Sequence, residues 1–227
     1  SMIRPTTASL ATALALGLAS VPAAAITVTV GGTPIANEGL TSSLAGLLCP
    51  IETFNDLMGN DCAGVTYSPT QDVFGVTNFY VEGSVSGEYA SPPDNFSGYL
   101  TVSPVAGGSV VISLSVPIDY FGFYAGSLDG YNSITFNLSS GTQTYTGTYL
   151  NQLAFGTNPT GNQQQGQYFN VFADPGETFT RITLSSTSNA FETDNHAFRA
   201  ASVPAPGALA LVALGMVGLA AAGRRRR

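Results

Sequence analysis

The residues best equipped for chemistry lie in one aromatic stretch, Asp119 to Phe136. Alternation along it puts Tyr120, Gly122 and Tyr124 on one face and Phe121 and Phe123 on the other. Gly126 and Gly130 bracket Ser127, Leu128 and Asp129, so a turn there leads into a second strand through Ile134 and Phe136. On such a hairpin the rings of Tyr124 and Tyr131 can stack on sugar faces while Asp129 and Asn132 hydrogen-bond hydroxyls. The competing use of the same residues is structural. The aromatics would then fill a core, and Asp129 and Asn132 would hold the turn through side-chain-to-backbone bonds.

Other reactive chemistry is sparse. His196 is the sole histidine and no GxSxG run occurs, so hydrolase triads have no support. Fourteen carboxylates offer pairs such as Asp119 with Asp129 or Glu82 with Glu88. A glycosidase needs two of them about 5–10 Å apart in a cleft, and any chain this acidic supplies pairs by chance, so no catalytic activity is expected. Cys49 and Cys62, the only cysteines, have twelve residues between them and predict a disulfide in an exported protein. Closing that loop stabilises by roughly 3 kcal/mol through loop entropy. Two thiols with one remote histidine do not make a zinc site.

The elements that must position these groups read as strands. Residues 26–30 alternate β-branched side chains, and further strands are expected at 74–81, 96–102, 109–116, 118–124, 133–138, 143–149, 168–172, 180–185 and 197–201. Gly- and Pro-rich turns separate them, with Pro117 dividing 109–116 from 118–124. A short helix is expected over 41–48, with Leu44, Leu47 and Leu48 on one face. The polar run 158–167 is either a binding lip or a disordered connection, and the second is favoured. The fold class is therefore all-β, an antiparallel β-sandwich or jelly-roll-like domain.

The two ends have a different character. Residues 2–25 carry Arg4, an apolar run from Leu10 to Leu18 and Ala23-Ala24-Ala25, the pattern of a secretory signal peptide cleaved after Ala25. At the other end come Val203, Pro204, Ala205 and Pro206, then seventeen uncharged, almost wholly apolar residues (207–223), then Arg224, Arg225, Arg226 and Arg227. As a helix that span is roughly 25 Å long against a hydrocarbon core of about 30 Å, and snorkelling arginines extend it. The four arginines predict a cytoplasmic C-terminus. The domain between, 26–202, holds all fourteen acids and only Arg181 and Arg199, so two positive against fourteen negative groups leave it at −12. That surface repels nucleic acid.

The order of tetrapeptide, apolar helix and arginine cluster resembles the PEP-CTERM sorting signal of Gram-negative exosortase substrates, with Ala205 where that family usually has Glu. Residues Phe121 to Phe136 are similar to a Phe-Gly-x-Tyr-x-Gly-Ser-x-Asp-x-Tyr-Asn-x-Ile-x-Phe pattern in a group of exosortase-dependent surface proteins. Residues 190–195 resemble the Phe-Glu-x-Asp-Asn run ahead of such tails. The resemblance implies export, transient residence in the inner membrane, and processing by an exosortase. Release to the cell surface or extracellular matrix would follow, in contact with exopolysaccharide. By analogy with lectin-like jelly rolls, where an acid near the first strand and an Asp-Asn near the last share a structural calcium, Glu52, Asn55, Asp56 and Asp194 are the calcium candidates. The alternative for them is separate solvated carboxylates, with Asp194-Asn195 making a turn.

Overall fold

A computed structural model describes residues 26–69, 79–104 and 107–202. The expected signal peptide, the Val203-to-Pro206 tetrapeptide, the apolar span and the arginine tail lie outside these residues, as does most of the expected strand 74–81. In chain order the described elements are β1 (Ile26–Val30), β2 (Thr33–Ile35), β3 (Gly39–Thr41), β4 (Val65–Pro69), β5 (Tyr80–Glu82), β6 (Gly98–Val102), β7 (Ser109–Ala125), β8 (Asn132–Leu138), β9 (Thr142–Thr146), α1 (Gly147–Phe155), β10 (Gln167–Ala173), β11 (Phe179–Ser186) and β12 (Phe191–Ala200). The architecture is all-β, as expected. Among the described residues no helix is long and apolar enough to cross a membrane.

Ten strands form one curled antiparallel sheet, while β2 and β3 pair separately. The long strand β7 is its spine. Its first part, Ser109 to Leu114, lies between β4 and β11, and its second part, Ile118 to Ala125, lies between β10 and β12. The curl brings the far strands together, so that the Tyr145 hydroxyl on β9 donates to the Ile26 carbonyl on β1 at 3.1 Å.

Contrary to the expected break, β7 runs through Pro117. Between its pairs with Phe179 and Arg181 of β11, β7 passes from Ile118 to Ser113, so it arches away from its neighbour there. Proline is tolerated because that stretch owes β11 no ladder N–H. Opposite β12, Ile118 pairs with Ala200 and Tyr120 with Arg199, which leaves Asp119 as an extra residue. Such a bulge reverses the alternation. Ile112 and Ile118 enter the core before it, and Phe121, Phe123 and Ala125 enter after it.

The sheet interior is built from phenylalanine. Phe123 stacks on Phe169 at 5.3 Å, Phe136 meets Phe179 at 4.9 Å, and Phe121 contacts both Phe198 and Phe136. Each buried ring is worth about 1.5–3 kcal/mol relative to exposure. Cys49 and Cys62 form the expected disulfide, Cα atoms 5.2 Å apart. The Glu52 backbone inside that loop exchanges two 2.9 Å hydrogen bonds with His196 of β12.

Two local expectations fail for identifiable reasons. Residues 41–48 are not helical: Gly46 has φ 72, and Leu48 N instead donates to the Phe198 carbonyl at 2.8 Å, an edge contact with β12. The expected strand 143–149 ends at Thr146, whose hydroxyl accepts from Tyr149 N at 3.2 Å and caps α1, which Gly156 closes in the left-handed region. Two turns with Leu150 and Ala154 against the core are too brief a pattern to stand out from a strand.

Candidate functional site

The other face of β7 and β12 carries the polar chemistry. Tyr120 and Tyr168 are fully buried there, and a Cβ at Gly122 would collide with both hydroxyls, which is why the strand has glycine between its tyrosines. The Tyr120 hydroxyl lies 2.9 Å from Ser42 Oγ and donates to Asn170 Oδ1 at 2.8 Å, and the Tyr168 hydroxyl donates to the Asn195 carbonyl at 3.0 Å. Asn195 sits at a second bulge, between the Asp194–Tyr124 and Ala197–Gly122 pairs, with φ 50. Its amide donates to the carbonyls of Glu38 and Leu40, fastening the β2–β3 hairpin over this layer. Residues 190–195, with Asp194-Asn195 the alternative turn, are thus almost wholly strand, and Glu192 and Asp194 are buried within it.

The four sugar-contact candidates are divided. Asn132 is buried and structural: its Oδ1 accepts from Asp129 N at 2.6 Å, and its Nδ2 donates to Ser186 Oγ and the Ala190 carbonyl. Asp129 and Tyr131 line an open groove of about 470 Å³ at the end of the sheet, where the Tyr131 hydroxyl shares its hydrogen between Asp129 Oδ2 (2.9 Å) and the Asn189 carbonyl (2.8 Å). Tyr124 belongs to a different groove, of about 570 Å³, beneath the β2–β3 hairpin. There it is almost wholly covered, donates to the Pro93 carbonyl at 2.6 Å, and presents no free face for stacking. Run 158–167 supplies Gly161 and Gln163 to the first groove and Gln164 and Gly166 to the second.

Glu192 and the loop carrying Glu88 and Tyr89 complete the first groove. Glu192 Oε1 accepts from Ala90 N at 3.0 Å, whereas its Oε2 has no hydrogen-bond partner among the described residues. Burial, only partly offset by nearby amides and reinforced by Asp129, raises the Glu192 carboxyl to about 7. In the sequence Glu88 stands out only as a carboxylate that could pair with Glu82, and Tyr89 not at all. A Glu-Tyr pair ahead of prolines carries no periodic signal that marks it as a wall.

The calcium candidates are not brought together by their side-chain bonds. Glu52 accepts from Phe54 N and Asp61 N inside the disulfide loop, Asn55 donates to Glu38, Asp56 accepts from Met58 N at 2.9 Å, and Asp194 accepts from Asn95 Nδ2 at 2.6 Å. Burial, followed by the Asp61 charge, raises Glu52 to about 7, and burial also pushes Asp194 well up. Among the described residues no three His, Cys, Asp or Glu side chains form a group able to hold a metal ion. His196 is a core residue packed edge-on against Phe54 and Phe121, with Tyr67 Oη 2.9 Å from Nδ1 and Thr193 Oγ1 3.0 Å from Nε2. Burial lowers it to about 3, so it stays neutral.

Of the carboxylate pairs that hydrolysis would use, Asp119 and Asp129 lie apart. Asp119 pairs with Arg199 at 2.7 Å, and six strand residues, roughly 20 Å at the usual rise, separate it from the end of β7 that leads to Asp129. Glu82 and Glu88 are both exposed. No protein-family model matches the chain, and no curated protein matches it either.

Proposed function

We propose that the chain is the precursor of an exported, non-catalytic β-sandwich protein. An exosortase sorts it to the cell surface or extracellular matrix of a Gram-negative bacterium, where it associates with exopolysaccharide. The observation that carries this reading is the Cys49–Cys62 disulfide, which suits an oxidising compartment and ties its loop to the domain's last strand. The sandwich description rests on the two flanks of β7 meeting across the Phe121–Phe136 contact. The non-catalytic description rests on Asp129 and Glu192, which share a groove in which the Tyr131 hydroxyl holds Asp129 Oδ2 and the Ala90 amide holds one of the two Glu192 oxygens. Before processing, the partners are the export machinery, the exosortase and the membrane that takes the 207–223 span; nucleic acid is not a partner.

Replacing Arg224, Arg225, Arg226 and Arg227 by alanine should leave unprocessed precursor in the cell and lower the surface yield several-fold, read by immunoblotting of cell fractions. Normal processing and yield would contradict the sorting reading. Polysaccharide turnover that disappears in Glu192→Gln would contradict the non-catalytic one.

A further inference from the structure

The groove at the end of the sheet has a one-sided charge pattern. Three carboxylates line it, Glu88, Asp129 and Glu192, and among the described residues no arginine does. Arg199 is committed to Asp119, and Arg181 lies beside Asn137 on β11. Glu192 is 3% exposed, and one of its oxygens lacks a hydrogen-bond partner among the described residues. A buried carboxylate without a counter-charge is costly and is relieved by any donor that brings positive charge to it. The walls add two rings, Tyr89 and Tyr131, of the kind that pack on the C–H faces of a pyranose. Main-chain segments from four parts of the fold meet there: the loop before β6, the β7–β8 turn, the loop after α1 and the start of β12.

We infer that this groove binds an amine-bearing saccharide, its ammonium group facing the carboxylates of Glu192, Asp129 and Glu88 and its ring lying against Tyr89 and Tyr131. A sugar carrying carboxylate or sulfate is excluded by the same three charges. An N-acetylated sugar keeps the ring contacts and loses the charge. The inference deepens the polysaccharide part of the proposed function and is independent of sorting, because a mis-sorted chain still carries the groove.

The test is calorimetric titration of the full chain, disulfide intact, with a fully de-N-acetylated glucosamine tetrasaccharide at low salt and near-neutral pH. The N-acetylated tetrasaccharide and a tetra-uronate serve as the comparison probes. The de-N-acetylated probe should bind roughly tenfold more tightly than the acetylated one, as expected for one charge-assisted contact, and the uronate should not bind. Glu192→Gln should remove most of that preference. Glu88→Gln, at an exposed position that leaves the fold alone, should weaken binding by roughly two- to threefold. Asp174→Asn, outside the groove, should leave it unchanged. Absent or equal binding of the two glucosamine probes, binding of the uronate, or an equal loss in Asp174→Asn would each overturn the inference. So would an unaltered preference in a Glu192→Gln chain that melts like the parent.

Discussion

The two faces of β7 beyond its bulge are made of neighbouring residues and behave as different materials. Phe121 and Phe123 enter a dry interior whose contacts are rings on rings. Tyr120 and Tyr124 enter a layer where each hydroxyl has a named partner, and where Glu192, Asp194 and Asn195 are buried on the facing strand. The dry face tolerates no loss of volume. The polar face tolerates little loss of partners, but each individual bond there is worth less, because water is lost from both sides of the exchange. The motif from Phe121 to Phe136 therefore encodes a partition between two kinds of interior before it encodes any ligand.

This contrast can be broken with two neighbouring substitutions. Phe121→Ala should cost about 3–5 kcal/mol in urea unfolding. Tyr120→Phe, which removes only a hydroxyl, should cost about 1–2 kcal/mol. Equal costs would mean that the two faces are not energetically distinct.

The buried carboxyls sharpen the contrast through pH. Glu52 and Glu192 are raised to about 7 from an ordinary 4.5, so the folded state holds protons that the unfolded chain has released. Their favourable contribution is complete below about 4.5 and is lost as pH rises through 7, at about 1.4 kcal/mol per unit per group. His196 works the other way. Lowered to about 3 from 6.5, it costs stability as pH falls below 6.5. Two carboxyls, with Asp194 acting in the same direction, outweigh one histidine between pH 4.5 and 6.5, so the melting temperature should rise as pH falls from 7 and peak at about pH 4.5 or just below. A maximum at or above pH 7 would contradict the assignment of uncompensated acids to the polar face.

Much of the sheet is legible in the sequence because its strands alternate. β8, β10 and β11 lie within two residues of their expected limits, since Ile134 and Phe136, Phe169 and Val171, and Ile182 and Leu184 each show a period of two. Legibility fails where tertiary context overrides the local signal. Pro117 reads as a stop but falls on an arch, and residues 190–195 read as polar yet are buried because their partners come from Ala90, Asn95 and the β2–β3 hairpin, all distant in sequence. The groove shows the same limit. Asp129 and Tyr131 were visible as chemistry, but Tyr124 and Asn132 are consumed by structure, and Glu88, Tyr89 and Glu192 join the site only through the fold.

The most direct test of the central claim is intact-mass measurement of the protein recovered from its native cells. The account predicts a mature chain that begins at Ile26, has lost the 207–223 span with its arginine tail, and is two hydrogens lighter than its reduced form at Cys49 and Cys62. Recovery of the unprocessed chain from the cell surface, or of a fully reduced pair, would contradict it.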